Sequence, residues 1–419
     1  MISKIDFSEK NLTSNSGTLM LYNHTDAEGI FEMIDEEVKF HNPSINKIKM
    51  NHIKSLLCGF FIGIDKLERM RLLYNDPLVY EMAVDVKSPE TISRFLKKFD
   101  YRTTHQLRTV SFKVFNHMLS KSGLLKITID IDSSVINVEG HQEGTAKGYN
   151  PKKKGNKCYN IQFAFCDELK AYISGYVRSG NAHSANGASE LIKEIYDNIH
   201  FEGLDICFRM DSGYFDEEII KTIESLGCKY VIKAKAYATL VSKVPSDEYF
   251  QKGSEGRVTA ELFTKLDKWD DDRRILVSRV LKESGETNQM TLFEKEYRYF
   301  FFVTNDESIS SEEVVLFYEK RGNCENYIKE SKYDMNVGNL ILHSFWANEA
   351  IFQLMMLTYN IFLMFKMSYM TAKEYRQQIK SFRLKYVFLA GKIISTARYK
   401  ILKLPEQYPY KGIYIRALA

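Results

Sequence analysis

The sequence predicts an α/β protein: a mixed sheet flanked by helices, a β-rich insertion within it, and helical regions at both ends. Three observations predict it. Ile127, Ile129 and Ile131 alternate with Thr128, Asp130 and Asp132, the period-2 signature of a strand. The run Leu204 to Met210 is short and apolar and closes on Asp211, before a Gly turn and a helical pattern from about Phe215 to Leu226. Residues 236–305 then break this rhythm with Gly253, Gly256 and the short β-branched runs Arg274 to Val280 and Tyr297 to Val303.

In chain order, residues 1–120 read as helices. Asp76-Pro77 and Ser88-Pro89 each set a capping residue before a proline at the first helical position, which starts two helices a short turn apart. In the second, Ile92, Phe95, Leu96 and Phe99 make a buried stripe, leaving Arg94, Lys97 and Lys98 outside. Residues 121–235 run strand, loop, two strands (near Cys158 to Cys166 and Ala171 to Arg178), helix (Ala185 to Ile199), strand, helix, strand (Lys229 to Lys233), the pattern of a mixed sheet flanked by helices. Residues 236–305 are the insertion. Residues 306–370 return to the core, where Ser310-x-x-Glu313 is a capping box opening the next helix. Residues 371–419 form a basic C-terminal helical region. From Lys366 to Lys403 ten Lys or Arg stand against one acid, Glu374, which suits a phosphate-tracking surface or a solvated helix face.

Chemistry concentrates between Tyr318 and Lys332. Tyr318, Arg321, Glu325 and Lys332 recur at helical steps and would fall on one stripe of a single helix. One acid and two cations on a stripe suit a metal-bound phosphodiester: the carboxylate holds a divalent ion while Arg and Lys take phosphate oxygens. Asp130 and Asp132 share a strand face, and Asp211 ends a strand where ligands bind in open α/β sheets. Three acids on separate elements, with no Cys or His cluster beside them, point to oxygen-ligated Mg²⁺ or Mn²⁺, and two such ions can stabilise both oxygens of an in-line phosphoryl transfer.

With those residues in view, the sequence resembles the bacterial insertion-sequence DDE transposases. Asp132-Ser-Ser134 is similar to their first catalytic strand, with Ser134 for the commoner Thr, and Asp211-Ser-Gly-Tyr214 to the second acid. Tyr318-x2-Arg321-x3-Glu325-x6-Lys332 matches their Tyr-Arg-Glu-Lys signature. Gly140 to Gly144, Gly148 to Pro151, Arg178 to Asn181 and Phe301 to Asn305 extend the likeness over roughly residues 120 to 365. The resemblance implies a ribonuclease-H-like core with Asp132, Asp211 and Glu325 as ligands for two metal ions. Asp130 remains the alternative first ligand. It implies binding of terminal inverted repeats and target DNA, hydrolysis followed by 3′-hydroxyl strand transfer, a possible hairpin intermediate, and a homodimer on paired ends.

DNA or phosphate contacts would then fall to Tyr318, Arg321, Lys332 and Arg178, and to Lys147, Lys152, Lys153 and Lys154 of a five-lysine loop that could equally be a surface hairpin. Trp269 would stack a flipped base or simply sit in an acidic turn. Arg94 would serve an N-terminal helix-turn-helix, unless those helices merely support the core. The rival readings are a non-transposing nuclease and a domesticated DNA-binding protein without catalysis.

Composition agrees: 44% hydrophobic and 27% charged residues describe a globular protein of 419 residues, long enough for two or three domains. Six cysteines without a Cys-x-x-Cys pair suggest a reducing cytoplasm and no structural zinc. The polar start is unlike a signal peptide. The apolar run Ala350 to Phe365 contains Gln353 and Asn360 and reads as a buried core helix rather than a membrane span.

Overall fold

A computed structural model gives the fold, describing residues 4–148, 150, 153–199, 203–266, 269–281, 297–339 and 341–418. The N-terminal part holds a short strand, β1 (Leu12–Thr13), and six helices: α1 (Thr18–Ala27), α2 (Ile30–Glu37), α3 (Pro43–Phe61), α4 (Pro77–Glu81), α5 (Pro89–Leu96) and α6 (Tyr101–Ser122). The caps act as the sequence predicts. Asp76 accepts from the Leu78 N–H at 2.9 Å and Ser88 from the Thr91 N–H at 3.3 Å, with proline opening each helix. Ile92, Phe95, Leu96 and Phe99 are buried; Arg94, Lys97 and Lys98 are exposed.

The central elements follow in order: β2 (Lys126–Asn137), β3 (Ala146–Lys147), β4 (Lys157–Cys166), β5 (Ala171–Ser179), α7 (Ala188–Asn198), β6 (Asp205–Met210), α8 (Glu217–Ser225) and β7 (Lys229–Ala234). The sheet runs β5-β4-β2-β6-β7, with β5, β6 and β7 running in the direction of β2 and β4 alone antiparallel to them, a ribonuclease-H-like arrangement.

Residues 238–304 supply α9 (Ala238–Val241), β8 (Gln251–Lys252), β9 (Val258–Thr264), β10 (Arg273–Leu281) and β11 (Tyr297–Thr304). The strands of this segment extend the core sheet. β11 pairs with the free edge of β7, Phe301 opposite Ala234 and Thr304 opposite Val231, and β10, β9 and β8 follow outward. An unpaired edge on β7 would expose a row of backbone donors and acceptors, and β11 closes it.

Helices α10 (Ser311–Glu319), α11 (Gly322–Tyr333) and α12 (Phe345–Tyr369) complete the core. The box opening α10 forms, with Ser310 and Glu313 each bonded to the other's backbone N–H. α12 is long and apolar enough to cross a bilayer, longer than the run Ala350 to Phe365 suggested, yet 94% of its apolar window is buried inside the protein. It packs on β5, α6, α3 and α1, so the N-terminal helices and the sheet share one hydrophobic core.

The C-terminal part departs from the helical expectation. After α13 (Ala372–Tyr375) and α14 (Ile379–Phe382) come β12 (Gly391–Ser395), β13 (Lys400–Lys403) and α15 (Lys411–Leu418). β12 pairs with both β13 and β1, which joins the two ends of the chain. Ile393 is buried between the charged Lys392 and the half-buried Ile394, so the local pattern is strand-like beneath its basic composition. Two of the ten cations are internal: Lys366, and Arg383, which donates to the Phe60, Phe61 and Asp334 carbonyls.

Candidate active site

Strand register makes the site. Ile131 of β2 lies opposite Met210 of the parallel β6, so the next residues, Asp132 midway along β2 and Asp211 just past the carboxyl end of β6, emerge side by side. Two residues earlier on the same face, Asp130 lies opposite Arg209.

These two rows have different fates. Asp130 is fully buried, and Arg209 Nε and Nη2 donate to its two oxygens at 2.7 and 2.8 Å. Arg209 also reaches Asp167 Oδ2 at 2.9 Å and the Phe317 carbonyl at 2.7 Å, tying the sheet to α10. A wholly buried pair of this kind persists only with such geometry. Asp130 lies beneath the cleft, whereas Asp132 lines it.

Asp132 Oδ1 accepts from the Ser133 N–H and Asp211 Oδ1 from the Gly213 N–H, both at 2.8 Å. One oxygen of each carboxylate is thus pinned. The two Oδ2 atoms face Arg321, whose Nη2 stands 2.8 Å from Asp132 and 3.7 Å from Asp211. Gly213 is needed here, because a Cβ would fall 2.9 Å from Asp211 Oδ1 and 3.2 Å from Ser184 Cβ. Burial pushes the Asp132 carboxyl up to about 6, with Asp211 and Glu325 adding to the push and Arg321 opposing it. Burial opposes the Arg321 charge as well, but Asp132, Tyr318 and Asp211 hold the guanidinium protonated.

The signature does not lie on a single helix. Tyr318 is in α10, Arg321 is the residue before α11, and Glu325 and Lys332 are in α11. Between them the Arg321 and Asn323 N–H groups bond to the carbonyls three residues back, Tyr318 and Lys320, which tightens the chain into a 3₁₀-like turn. Both break residues keep helical dihedrals, so periodicity runs through the kink unbroken. Tyr318 packs on Phe302 with ring centres 4.9 Å apart, and burial pushes its phenol up to about 12.

Asp132, Asp211, Glu325 and Lys332 line one cleft of about 730 Å³. The Glu325 side chain is 56% exposed, its charged neighbour being Lys329 at 3.9 Å. Lys332 Nζ donates to Ser134 Oγ at 3.0 Å and to the Val135 carbonyl at 2.9 Å, fixing α11 to β2.

Other predicted contacts divide. Arg178 is buried, with Nη1 donating to the His183, Ser184 and Asn186 carbonyls and Nη2 to Asn160 Oδ1, so it shapes the loop that walls the cleft rather than facing a ligand. Lys147, Lys153 and Lys154 are exposed on the β3–β4 hairpin, Lys153 beside Glu139 at 3.3 Å; Lys152 lies outside the described residues. Trp269 is half-buried on Phe215, ring centres 4.9 Å apart, with the Arg273 guanidinium 5.2 Å from its ring, so it is an integrated side chain and not a free platform. Arg94 is exposed on α5 and bonds Thr91.

The sequence reading missed Arg209 and Lys235. Arg209 shares the period-2 face of Asp211, which was a usable signal. Lys235 follows β7 as Asp211 follows β6, and it also lines the cleft. His183 lines it too.

The donor set fits a hard divalent cation. Two carboxylate oxygens already converge on one cationic nitrogen, and a third, exposed carboxylate lies on the same cleft wall. Among the described residues no three Asp, Glu, His or Cys side chains stand close enough together to hold a metal ion as they are.

Sheet order and an acidic cleft at the carboxyl edge place the chain in the ribonuclease-H-like class. A family model, transposase DDE domain group 1, matches residues 3–419, and the chain belongs to that family: it is a DNA transposase. No curated protein matches. Among solved structures, the piggyBac transposase synaptic complex with hairpin DNA is similar with a TM-score of 0.44 and 14% identity, over 88% of this chain and 78% of that one. The Mos1 mariner paired-end complex with Mn has a TM-score of 0.19 and 11% identity, over 36% of this chain and 52% of that one.

Proposed function

We propose that this transposase binds the terminal inverted repeats of its own element, hydrolyses a phosphodiester at each end, and joins the freed 3′-hydroxyl to target DNA. Asp132, Asp211 and Glu325 would hold two Mg²⁺ or Mn²⁺ ions. Bound there, the ions would polarise the phosphodiester and acidify the attacking water. The observation that carries the reading is the convergence of Asp132 Oδ2 and Asp211 Oδ2 on one cation, with Glu325 on the same wall.

The chain's own residues do the rest. The Ser133 and Gly213 N–H groups orient the two aspartates. Arg321 neutralises them until substrate binds and then turns to a phosphate oxygen. Lys235, Lys329 and Lys332 give the cleft a cationic rim for the strand being cut. Lys147, Lys153 and Lys154, with Lys152, extend that track. Arg94 contacts the end from the N-terminal helices, and Trp269 braces the strand path through Phe215. A homodimer would pair the ends on the bacterial nucleoid, within a reducing cytoplasm.

The test is Glu325→Gln on labelled element-end DNA with Mn²⁺: cleavage should be lost, any hairpin product with it, while end binding survives. Full cleavage by that variant would remove Glu325 from the mechanism.

A further inference from the structure

α11 is a wall between two clefts. Glu325, Lys329 and Lys332 face the acidic one; Asn323, Asn326 and Glu330, on the other side of the helix, face a second of about 640 Å³. Three cations enter this second cleft from three elements: Lys170 from the β4–β5 turn, Lys366 from α12, and Arg376 just after α13.

Its two acids have other partners as well. Asp167 accepts from Arg209 at 2.9 Å and from the Tyr327 hydroxyl at 2.9 Å, and Glu330 accepts from the Ile379 N–H at 2.7 Å. Lys366 is buried and makes one hydrogen bond, to the Gln377 carbonyl at 3.0 Å, although an ammonium has three donors. Burial pushes it down to about 8, with Glu330 opposing the push and Lys170 adding to it. Lys170 is likewise lowered, by burial first and then by Arg376. Among the described residues no carboxylate forms an ion pair with any of the three.

Lys170 also holds a left-handed backbone, φ 55°, in a turn that Gly or Asn would occupy with less strain. A strained residue that carries a third cation into a cleft lined by only two acids, Asp167 and Glu330, points to a ligand.

We propose that this second cleft seats a DNA backbone phosphate, held by Lys170, Lys366 and Arg376, for a strand that leaves the acidic cleft across α11. The identity of the phosphate's owner rests on the transposase reading. An α-helix is about 10 Å across, so two phosphates of one bound DNA can flank it. The seat fixes the angle at which DNA crosses the catalytic helix.

The experiment uses the full chain, a labelled duplex read by fluorescence anisotropy between about 50 and 200 mM salt, and millimolar inorganic phosphate read by thermal shift. The variant is Lys170→Asn with Arg376→Ala. Asn suits the left-handed backbone, so the melting temperature should hold or rise while duplex binding weakens about 20-fold at about 200 mM salt and more at about 50 mM, the salt slope becoming shallower by about 1.8, the value for two lost phosphate contacts. Inorganic phosphate should leave the wild-type melting temperature unchanged.

A slope equal to that of the wild type overturns the proposal alone. So does a phosphate-induced shift that the variant abolishes without any change in DNA binding, which would mark a free-anion site. A wild type that binds no duplex would fell the transposase reading and this inference with it.

Discussion

Asp130→Asn and Asp132→Asn, two residues apart on one strand face, should fail in opposite ways. At position 130 the amide keeps one acceptor and puts donors opposite Arg209, whose side chain is wholly buried and bonded to both carboxylate oxygens at 2.7 and 2.8 Å. Breaking one half of a buried pair costs about 3 to 5 kcal/mol. With an unfolding entropy of about 2.1 cal/mol/K per residue over 419 residues, that is a fall of about 3 to 6 °C in melting temperature. At position 132 the charge is a burden on the fold, since burial and Asp211 already push the carboxyl up to about 6. Asn there should leave the melting temperature within about 1 °C, or raise it, while cleavage collapses. The assay is a melt in chelator beside Mn²⁺-dependent cleavage of labelled end DNA. A stable, inactive Asp130→Asn with an unstable, active Asp132→Asn would reverse the roles assigned to the two acids.

Gly213→Ala should cost about 1 to 3 kcal/mol and slow cleavage more than it destabilises, because the new methyl displaces Asp211 Oδ1; normal cleavage would show that the turn can give way. Arg321→Ala should tighten Mn²⁺ binding to the DNA-free protein, measured by titration, because it removes the cation that occupies both Oδ2 atoms; unchanged or weaker binding counts against Arg321 as a metal placeholder. Glu349 is fully buried, bonded by the Val177 N–H at 2.6 Å and Gln353 at 2.8 Å, and burial raises it to about 6. Its folded form therefore binds a proton more tightly than its unfolded form. The stability tied to that proton should be present below about pH 4 and drain away as pH rises to about 6, by roughly 2 kcal/mol. Glu349→Gln cannot titrate, so its stability relative to wild type should climb over that window; parallel curves would refute the cause.

How far the sequence could be read follows from which forces are local. Caps at Asp76, Ser88 and Ser310 bond to N–H groups two or three residues away, so they were legible. Alternation along β2 and the acid ending β6 were legible for the same reason. Pairing β11 with β7 depends on which edge was left open, and no short window holds that. Nor does periodicity reveal a kink whose residues stay in helical dihedrals, which is why Tyr318 to Lys332 passed for one helix. Arg178 sat in a recognisable motif, but only the fold shows that it is buried, with Nη1 taken by the 183, 184 and 186 carbonyls and Nη2 by Asn160. Strand period makes Asp130 and Asp132 equivalent and only the Asp-x-Ser pattern favours Asp132; the parallel register then sets Arg209 beside one, and the other lines the cleft.

Gly322 sharpens the remaining question at the kink. It opens α11 with an ordinary helical backbone, and a Cβ built there meets nothing within 4 Å, so neither strain nor packing inside the chain calls for glycine. Alanine should gain up to about 1 kcal/mol of helix stability at such a position. If DNA passes over the junction between the two clefts, the same methyl obstructs it, and cleavage by Gly322→Ala should fall while the melting temperature rises by about 1 °C. A higher melting temperature with full cleavage would route DNA away from this junction, and a lower one would contradict the open surface on which both the acidic cleft and the cationic seat depend.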